Sequence, residues 1–476
     1  MKGAPQGGSY DYIIVGNGAA GTSALRSLRS VDQAGSAAVV SAEPWPAYNR
    51  VSLAVYVAGE KTREELFTTN RSFYEDMGAD TLLGRPAVHW DPRERLITLD
   101  DGVVLRYGKI LVASGASPVF PAVPGLDGEG VAGLRCLADA DALKEWTRRS
   151  ERAVILGGGL VSLQTAEALS GMGLGVDLVV SSPNLLSRLL LPQAAEVLEG
   201  RFRDLGLRIH TGRDAVEFHR GADGTLTGVT LSDGSLLPCQ VAVVGKGTTP
   251  NLSFALESGL PADCGIVVND RLAAEPGGAF AAGDAAMAPD FVTGVPSANA
   301  TWLNAVEQGK TAGLNMAGAD VRYLGGVGAN FDEFCGLPLT SFGLTAPREK
   351  DPGYRVYEFF DPKIPVYRRL VFQIGDGAGQ GCLPAGGVAG GGRHAASSTP
   401  VARVAGAVLL GEVGDAGVLY QFFRGRHSVD LPNDPADLPG ARRGARVERD
   451  SGAGDPGPWL AGRRLGPHDL PAWRFR

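Results

Sequence analysis

Three glycines in the run Gly16-Asn17-Gly18-Ala19-Ala20-Gly21 stand at the spacing of a phosphate-binding turn. In such a turn Gly16 makes the tight bend, Gly18 lets backbone N–H groups approach a pyrophosphate, and Gly21 lets a helix close on the strand before it. Ala19 and Ala20 open that helix, whose free N–H groups and partial positive charge favour phosphate. Glu43, 27 residues after Gly16, is an acid placed to accept ribose hydroxyls. A second run, Gly157-Gly158-Gly159-Leu160-Val161-Ser162, repeats the pattern less regularly: Ser162 replaces the third glycine, and Val180 or Ser181 falls where the acid is expected. A Gly-rich turn without a ligand is the plainer alternative for this second run.

Three further strand ends deliver small residues to a turn: Ala113-Ser114-Gly115, Gly245-Lys246-Gly247 and Gly283-Asp284. Gly-Asp is a common loop dipeptide, but here an apolar strand leads into it and a helix near 301–316 follows. With both Gly runs in place, Asp284 fits a residue that hydrogen-bonds the ribityl and phosphate part of a flavin. The helix starting near Trp302 would aim its positive end at the flavin ring. The five cysteines (Cys136, Cys239, Cys264, Cys335, Cys382) are scattered, with no C-x-x-C, so neither a structural zinc site nor a disulfide framework is expected. The six histidines show no metal-ligand spacing. Neither a metal site nor a catalytic side chain is named by the sequence.

The elements that position these residues follow from apolar periodicity. Tyr12 to Val15 reads as a strand, Ala24, Leu25, Leu28 and Val31 as a helix face, and Ala37 to Val40 as the next strand. Ala153 to Leu156, a helix through Leu163, Ala166 and Leu169, and Val176 to Val180 repeat that order, so two mononucleotide folds imply two nucleotides. From Tyr323 the character changes: Val356 to Phe360 and Arg369 to Phe372 read as strands of a smaller α+β domain, followed by a strand and helix pattern from Val404 to Phe423. The stretch 375–400 is Gly/Ala/Ser-rich and aperiodic, the composition of a flexible insertion. Beyond Gly425 the chain is rich in Arg, Gly, Pro and Asp, the composition of a disordered tail.

Composition bounds the function. The 476 residues include 68 Gly and 30 Pro, with 44% hydrophobic and 20% charged residues, so the chain is globular with excess glycine. The net charge of −7 leaves no basic footprint for nucleic acid. No signal peptide precedes the first strand and no run of 18 apolar residues occurs, which points to a cytoplasmic protein without a membrane segment.

The ordered set GNGAAG, Glu43-Pro44, Tyr48-Asn49-Arg50, ASGASP (113–118), GGGLVS, GKGTTPN (245–251), AAGDAA (281–286) and WLNAVEQGKTAG (302–313) resembles the pyridine nucleotide-disulfide oxidoreductase superfamily over roughly residues 10–320. Within it, PAYNRVSLAVYVAGE (46–60) is similar to the rubredoxin reductase and nitrite reductase large-subunit flavoprotein type. FCGLPLTSFGL and RVAGAVLLGEVGDAG resemble that group's small C-terminal domain. The implied fold is α/β, with two Rossmann-like domains: FAD in 1–118 with 247–322, and NAD(P)H in 119–246. A C-terminal domain over 323–424 and the tail after 425 complete the chain. The resemblance assigns Gly16, Gly18, Ala19, Ala20, Gly21, Glu43, Arg50, Val88, Ala113, Ser114, Gly115, Gly283, Asp284 and Trp302 to FAD. It assigns Gly157, Gly158, Gly159, Leu160, Val161, Gln164, Gly245, Lys246 and Gly247 to NAD(P)H. Gln164 departs from the Glu that many relatives place near the nicotinamide, and Val55 stands where the ferredoxin reductase branch has Lys.

An absence carries the functional expectation. Disulfide reductases of this superfamily hold a redox cysteine pair on the helix facing the flavin, and its peroxidases and water-forming oxidases hold one cysteine. Pro46 to Gly59 contains none. Cys335 and Cys382 fall in the third domain or the insertion, where buried or incidental thiols are the simpler reading. Electrons are then expected to pass from NAD(P)H to FAD and directly onward, to a one-electron carrier protein such as rubredoxin or ferredoxin. Reduction of oxygen or quinones, and a non-enzymatic FAD/NAD(P)H redox sensor, are the alternatives. Without an acid after the 176–180 strand, and with Arg188 as the nearest downstream arginine, both NADH and NADPH stay open. So does a homodimer.

Overall fold

The computed structural model describes residues 7–259, 264–275, 277–348, 351–361, 365–375, 401–431 and 447–449. The chain forms two compact units, Met1–Ser187 with Leu198–Gly328, and Arg188–Val197 with Ala329–Arg476.

The first unit holds two parallel sheets. In one, Gly8–Val15 lies between Ala37–Ser41 and Val104–Val112, with Ala79–Leu83 beyond the former and Ala279–Ala281 beyond the latter. The β-branched ends of these strands are fully buried: Ile13, Ile14, Val40, Ile110 and Val112 expose 0% of their surface. In the other sheet the order is Arg208–Thr211, Gly175–Val180, Arg152–Leu156, Val241–Val244 and Val131–Ala132.

The two sheets are internal copies, down to loop hydrogen bonds. Gly16 N donates to Val40 O as Gly157 N donates to Val179 O. Gly84 N and Arg85 N reach Glu43 O and Ser41 O, as Gly212 N and Arg213 N reach Ser182 O and Val180 O. Both Gly-Arg pairs lead into an antiparallel ladder whose register slips at the same place, beside Val88 in one copy and Val216 in the other. The register therefore places Ser182, one or two residues past the expected Val180 or Ser181, opposite Glu43.

The helix Ala19–Arg29 turns Ala20, Gly21, Ala24, Leu25 and Leu28 inward. Its small face is met by the helix Trp302–Met316, whose Gly309 and Gly313 lie so close to the carbonyl oxygens of Ala20 and Ala24 that a Cβ at either glycine would collide with backbone. The GxxxG in WLNAVEQGKTAG is thus a helix-crossing device. The strands Ala116–Pro118 and Thr248–Pro250 pair antiparallel where the chain passes from one sheet to the other and back. Asn251 fastens this crossing: its N–H bonds Gly115 O (2.9 Å), its Nδ2 bonds Ser114 O (3.2 Å) and its Oδ1 accepts from Ser117 (2.7 Å).

Tyr323, where the sequence suggested a new domain, is buried in the core of the first unit and donates its N–H to Asp270 O. The second unit is an antiparallel sheet in the order Ala329–Phe334, Leu337–Gly343, Val401–Leu410, Val366–Gly375, Tyr354–Asp361, with the helix Ala416–Arg424 following. Its core is aromatic, with Phe342 edge-on to Tyr420 and tilted against Phe423. The insertion expected over 375–400 lies outside the described residues after Gly375. Of the segment after 425, Ser428–Asp430 pairs with Val401–Leu410 and Val447–Arg449 pairs with Tyr354–Asp361; residues 432–446 and 450–476 lie outside the described residues.

Candidate nucleotide sites

At the first Gly turn the three glycines have separable reasons. Gly16 takes φ +120°, and a Cβ on it would strike Ala113 O; a Cβ on Gly21 would strike Gly16 O. Both are required by the protein itself. Gly18 is different: its backbone is extended, and a Cβ there would meet nothing within 4 Å. Gly18 is the N-cap of the Ala19–Arg29 helix and gives it no side-chain cap, and the first turn has no acid. By contrast, Thr301 caps the Trp302–Met316 helix through a bond from Asn304 N at 3.4 Å. Uncapped N–H groups facing open space beside a Cβ-free residue form a cradle that suits a pyrophosphate. Asn17 holds the turn: its Nδ2 donates to Trp45 O (3.1 Å) and its Oδ1 accepts from Tyr74 (2.8 Å).

The other expected flavin residues gather at the C-terminal ends of the same strands, the edge at which open α/β sheets bind ligands. One polar chain links them. Glu43 receives the Tyr48 hydroxyl (2.6 Å) and pairs with Arg50. Arg50 also donates to Tyr48 Oη (2.8 Å) and to Arg135 O (3.0 Å), and Arg135 pairs with Asp284 while donating to Ala116 O (3.0 Å). Burial opposes the charge on Arg50, yet Tyr48 and Glu43 beside it hold its pKa above the usual value. Burial drives the Tyr48 phenol well above its ordinary pKa, with Glu43 adding to the shift and Arg50 opposing it. Arg135 is the residue that sequence reasoning missed. It lies 149 positions from Asp284, and no local pattern announces it. Gly283 N is pinned by Gln308 Oε1 at 2.7 Å, so the Trp302–Met316 helix positions the Gly-Asp turn. Trp302 begins that helix, and Val88 sits half-exposed at the ladder slip next to the Gly84-Arg85 clamp.

The second turn solves the same packing problem with the small residue moved. Gly157 (φ +127°) would strike Gly245 O through a Cβ, as Gly16 would strike Ala113 O. Ser162, at the place of Gly21, is buried and bonds Gly245 O at 3.4 Å, and a Cβ on Gly245 would collide with Ser162 Oγ. At these two positions the first turn has Gly21 and Ala113, and the second has Ser162 and Gly245. Ser162 therefore leaves the turn intact. Gly159, like Gly18, is an N-cap without a side-chain cap whose Cβ would meet nothing within 4 Å. Leu160, Val161 and Gln164 lie on the less buried face of this helix start, with Val161 49% exposed. Lys246 pairs with Asp214 at 2.5 Å and donates to Ser181 Oγ at 3.3 Å, and Gly247 takes φ +98°.

The cysteine-free segment folds as a 3-10 turn, Arg50–Ser52, and the helix Leu53–Val57. That helix packs against Leu137–Thr147 and Leu160–Gly171. The turn exposes Val51, the helix leaves Val55 half-buried, and neither carries a thiol. Cys136, at the N-cap of Leu137–Thr147, is pushed up to about 11, mainly by burial, and is held protonated. Cys239 is buried in the core of the second sheet and pushed up to about 12 by burial. Among the described residues no group of His, Cys, Asp and Glu could hold a metal, and no helix is long and apolar enough to cross a membrane.

The family model described as pyridine nucleotide-disulphide oxidoreductase matches residues 10–309. The chain belongs to that family. It is 33% identical over 368 residues to the NADH-dependent phenylglyoxylate dehydrogenase subunit epsilon of Aromatoleum evansii, covering 76% of this chain and 85% of that one. It is 32% identical over 306 residues to the ferredoxin reductase component of chlorobenzene dioxygenase from a Cupriavidus species, covering 64% and 74%. It spans less than half the length of the nitrate and nitrite reductase relatives that it also matches. Its fold superposes on the ferredoxin reductase for the CYP199A2 system of Rhodopseudomonas palustris with a TM-score of 0.75 at 24% identity, covering 90% of this chain and 96% of that one. As a member of this family the protein is an FAD-dependent NAD(P)H oxidoreductase.

Proposed function

We propose that the first Gly turn, with Glu43, Arg50, Val88, Ala113 to Gly115, Asp284 and Trp302, holds FAD, that the second turn, with Gln164 and Gly245 to Gly247, holds the nicotinamide nucleotide, and that the electrons leave to a small one-electron carrier protein. Residues 1–118 with 247–322 would form the FAD domain and 119–246 the NAD(P)H domain, joined at the strand pair 116–118 and 248–250. The chain's own contributions are the cradles, the Arg50 and Arg135 cations near the flavin phosphates, and a helix face without thiols.

The observation that carries the acceptor assignment is the cysteine-free segment 46–59. FAD accepts two electrons at once and releases them singly, which suits a nicotinamide donor and a one-electron acceptor. With no thiol on Arg50–Val57, nothing in that segment can relay electrons to a disulfide. The ferredoxin reductase among the relatives has the same kind of acceptor in its name. The scattered cysteines, with no C-x-x-C in the sequence, also fit a reducing cytoplasm. The assay is anaerobic: protein reduced with NADPH or NADH is mixed with a [2Fe–2S] ferredoxin or a rubredoxin, and carrier reduction is followed optically. Rapid carrier reduction with slow reaction toward oxygen and quinone supports the proposal. Rapid reoxidation by air together with indifference to carriers would contradict it.

A further inference from the structure

In the second sheet the position opposite Glu43 is Ser182, and the surrounding corner is built from three segments. Ser181 and Ser182 end the Gly175–Val180 strand, Asp214 follows the Gly212-Arg213 clamp, and Lys246 follows Val241–Val244. Each has a counterpart around the first turn: Ala42 and Glu43, Pro86, and Ser114. The first copy carries one anion there. The second carries one cation and one anion, paired with each other.

Lys246 reaches this corner from the far side of the sheet. Val241–Val244 and Gly175–Val180 are separated by Arg152–Leu156, so they stand about 10 Å apart. Gly245 N bonds Leu156 O at 2.7 Å, which bends the chain over the end of the middle strand, and Lys246 Nζ then arrives 3.3 Å from Ser181 Oγ. The loop after Ser182 returns to the Gly turn, with Leu186 N on Gly158 O at 2.9 Å. The nearby cation Arg213 turns to Asp233, with Nε at 2.9 Å, and to His210, with Nη1 3.4 Å from Nδ1. Lys246, paired with Asp214, is the cation that reaches the strand end carrying Ser181 and Ser182.

In dinucleotide-binding folds an acid after the second strand bonds the ribose 2′-hydroxyl and repels a 2′-phosphate, whereas a cation nearby accommodates that phosphate. Ser182 removes the repulsion and Lys246 supplies the cation. We propose that Lys246 recognises the 2′-phosphate of NADPH and that this enzyme accepts NADPH as well as NADH, with Asp214 holding the ammonium in place and tempering its charge. The assignment rests on the second turn being the nicotinamide nucleotide site. On binding, the Lys246 ammonium exchanges part of its contact with Asp214 for the phosphate.

The test is anaerobic reduction of the FAD-loaded, full-length protein by NADPH and by NADH, with kcat/KM taken for each in the wild type, K246A, S182E and D214N. Loss of one charge-assisted hydrogen bond predicts that K246A lowers the NADPH-to-NADH ratio of kcat/KM at least about tenfold. S182E, which restores the counterpart of Glu43, should lower the same ratio. D214N, which frees the ammonium, should raise it, a direction that a purely structural role for the ion pair does not produce. Equal losses for both nucleotides in K246A and S182E would overturn the 2′-phosphate assignment and leave the nucleotide site standing. No change for either nucleotide in either variant would overturn the site assignment as well. Flavin content and thermal melting of each variant identify one that has failed to fold, and D214N then carries the test alone: a ratio that does not rise contradicts the proposal.

Discussion

Gly18→Ala and Gly21→Ala add the same methyl group three residues apart, and the structure gives them opposite consequences. At Gly21 the Cβ falls within 3.0 Å of Gly16 O, and neither backbone can move without breaking the turn. Overpacking of this kind costs about 1–3 kcal/mol in the folded protein whether or not FAD is bound. At Gly18 the backbone is extended and the Cβ meets nothing within 4 Å, so the apoprotein loses only the difference between Gly and Ala as an N-cap, about 1 kcal/mol or less. In the proposed FAD site the methyl group instead occupies the phosphate cradle. Losing one charge-assisted hydrogen bond there costs about 1.5–3 kcal/mol, roughly 10- to 150-fold in FAD affinity. The assay pairs urea unfolding of deflavinated protein with FAD titration followed by quenching of flavin fluorescence. The expected result is near-normal apoprotein stability with weakened FAD binding for Gly18→Ala, and an unstable apoprotein for Gly21→Ala. Wild-type FAD affinity in Gly18→Ala, or an apoprotein as unstable as that of Gly21→Ala, would refute the reasoning.

The second turn offers a rescue experiment: Gly245→Ala should destabilise by about 1–3 kcal/mol through its collision with Ser162 Oγ, and Ser162→Gly in the same chain should restore most of the loss in a urea melt. Absence of rescue would show that the two positions are not in contact. Cys136, held up at about 11 chiefly by burial, should react with iodoacetamide at pH 8 about two orders of magnitude more slowly than a free cysteine, and its rate should rise about tenfold per pH unit up to that value. Labelling at the rate of free cysteine would contradict this. Tyr10, Tyr12 and Tyr56 are held up at about 12 by burial and by hydrogen bonds to Asp80, Asp32 and Asp141. Between pH 10 and 12 the unfolded chain releases phenolic protons that the folded chain keeps, so stability falls as pH rises, and Tyr12→Phe should flatten that slope. Identical slopes in the wild type and Tyr12→Phe would count against it.

What could be read in the sequence was whatever the chain encodes locally. The two Gly turns, the strands before them and the helices after them follow from spacings of a few residues, and Gly16, Gly18, Gly157 and Gly159 lie where those spacings place them. Contacts between distant segments were not legible. Ser162 looked like a defect in its motif because its compensating partner, Gly245, lies 83 positions away. Arg135 has no signature of its own, since its role comes from meeting Asp284 and Arg50 in space. The counterpart of Glu43 is Ser182 rather than Val180 or Ser181, because strand register is set by hydrogen bonds such as Gly157 N to Val179 O rather than by counting from the Gly run. The Gly-Asp turn was legible as a motif, whereas the ion pair of Asp284 with Arg135 emerged only from the fold.

In the proposed path, electrons pass from nicotinamide to FAD and out without a cysteine relay. An anaerobic titration of the FAD-loaded protein with dithionite measures its electron capacity directly. Full bleaching of the flavin is expected at one equivalent, two electrons per FAD, in both the wild type and a variant with all five cysteines replaced by alanine. An end point at two equivalents in the wild type that falls to one in the cysteine-free variant would contradict it.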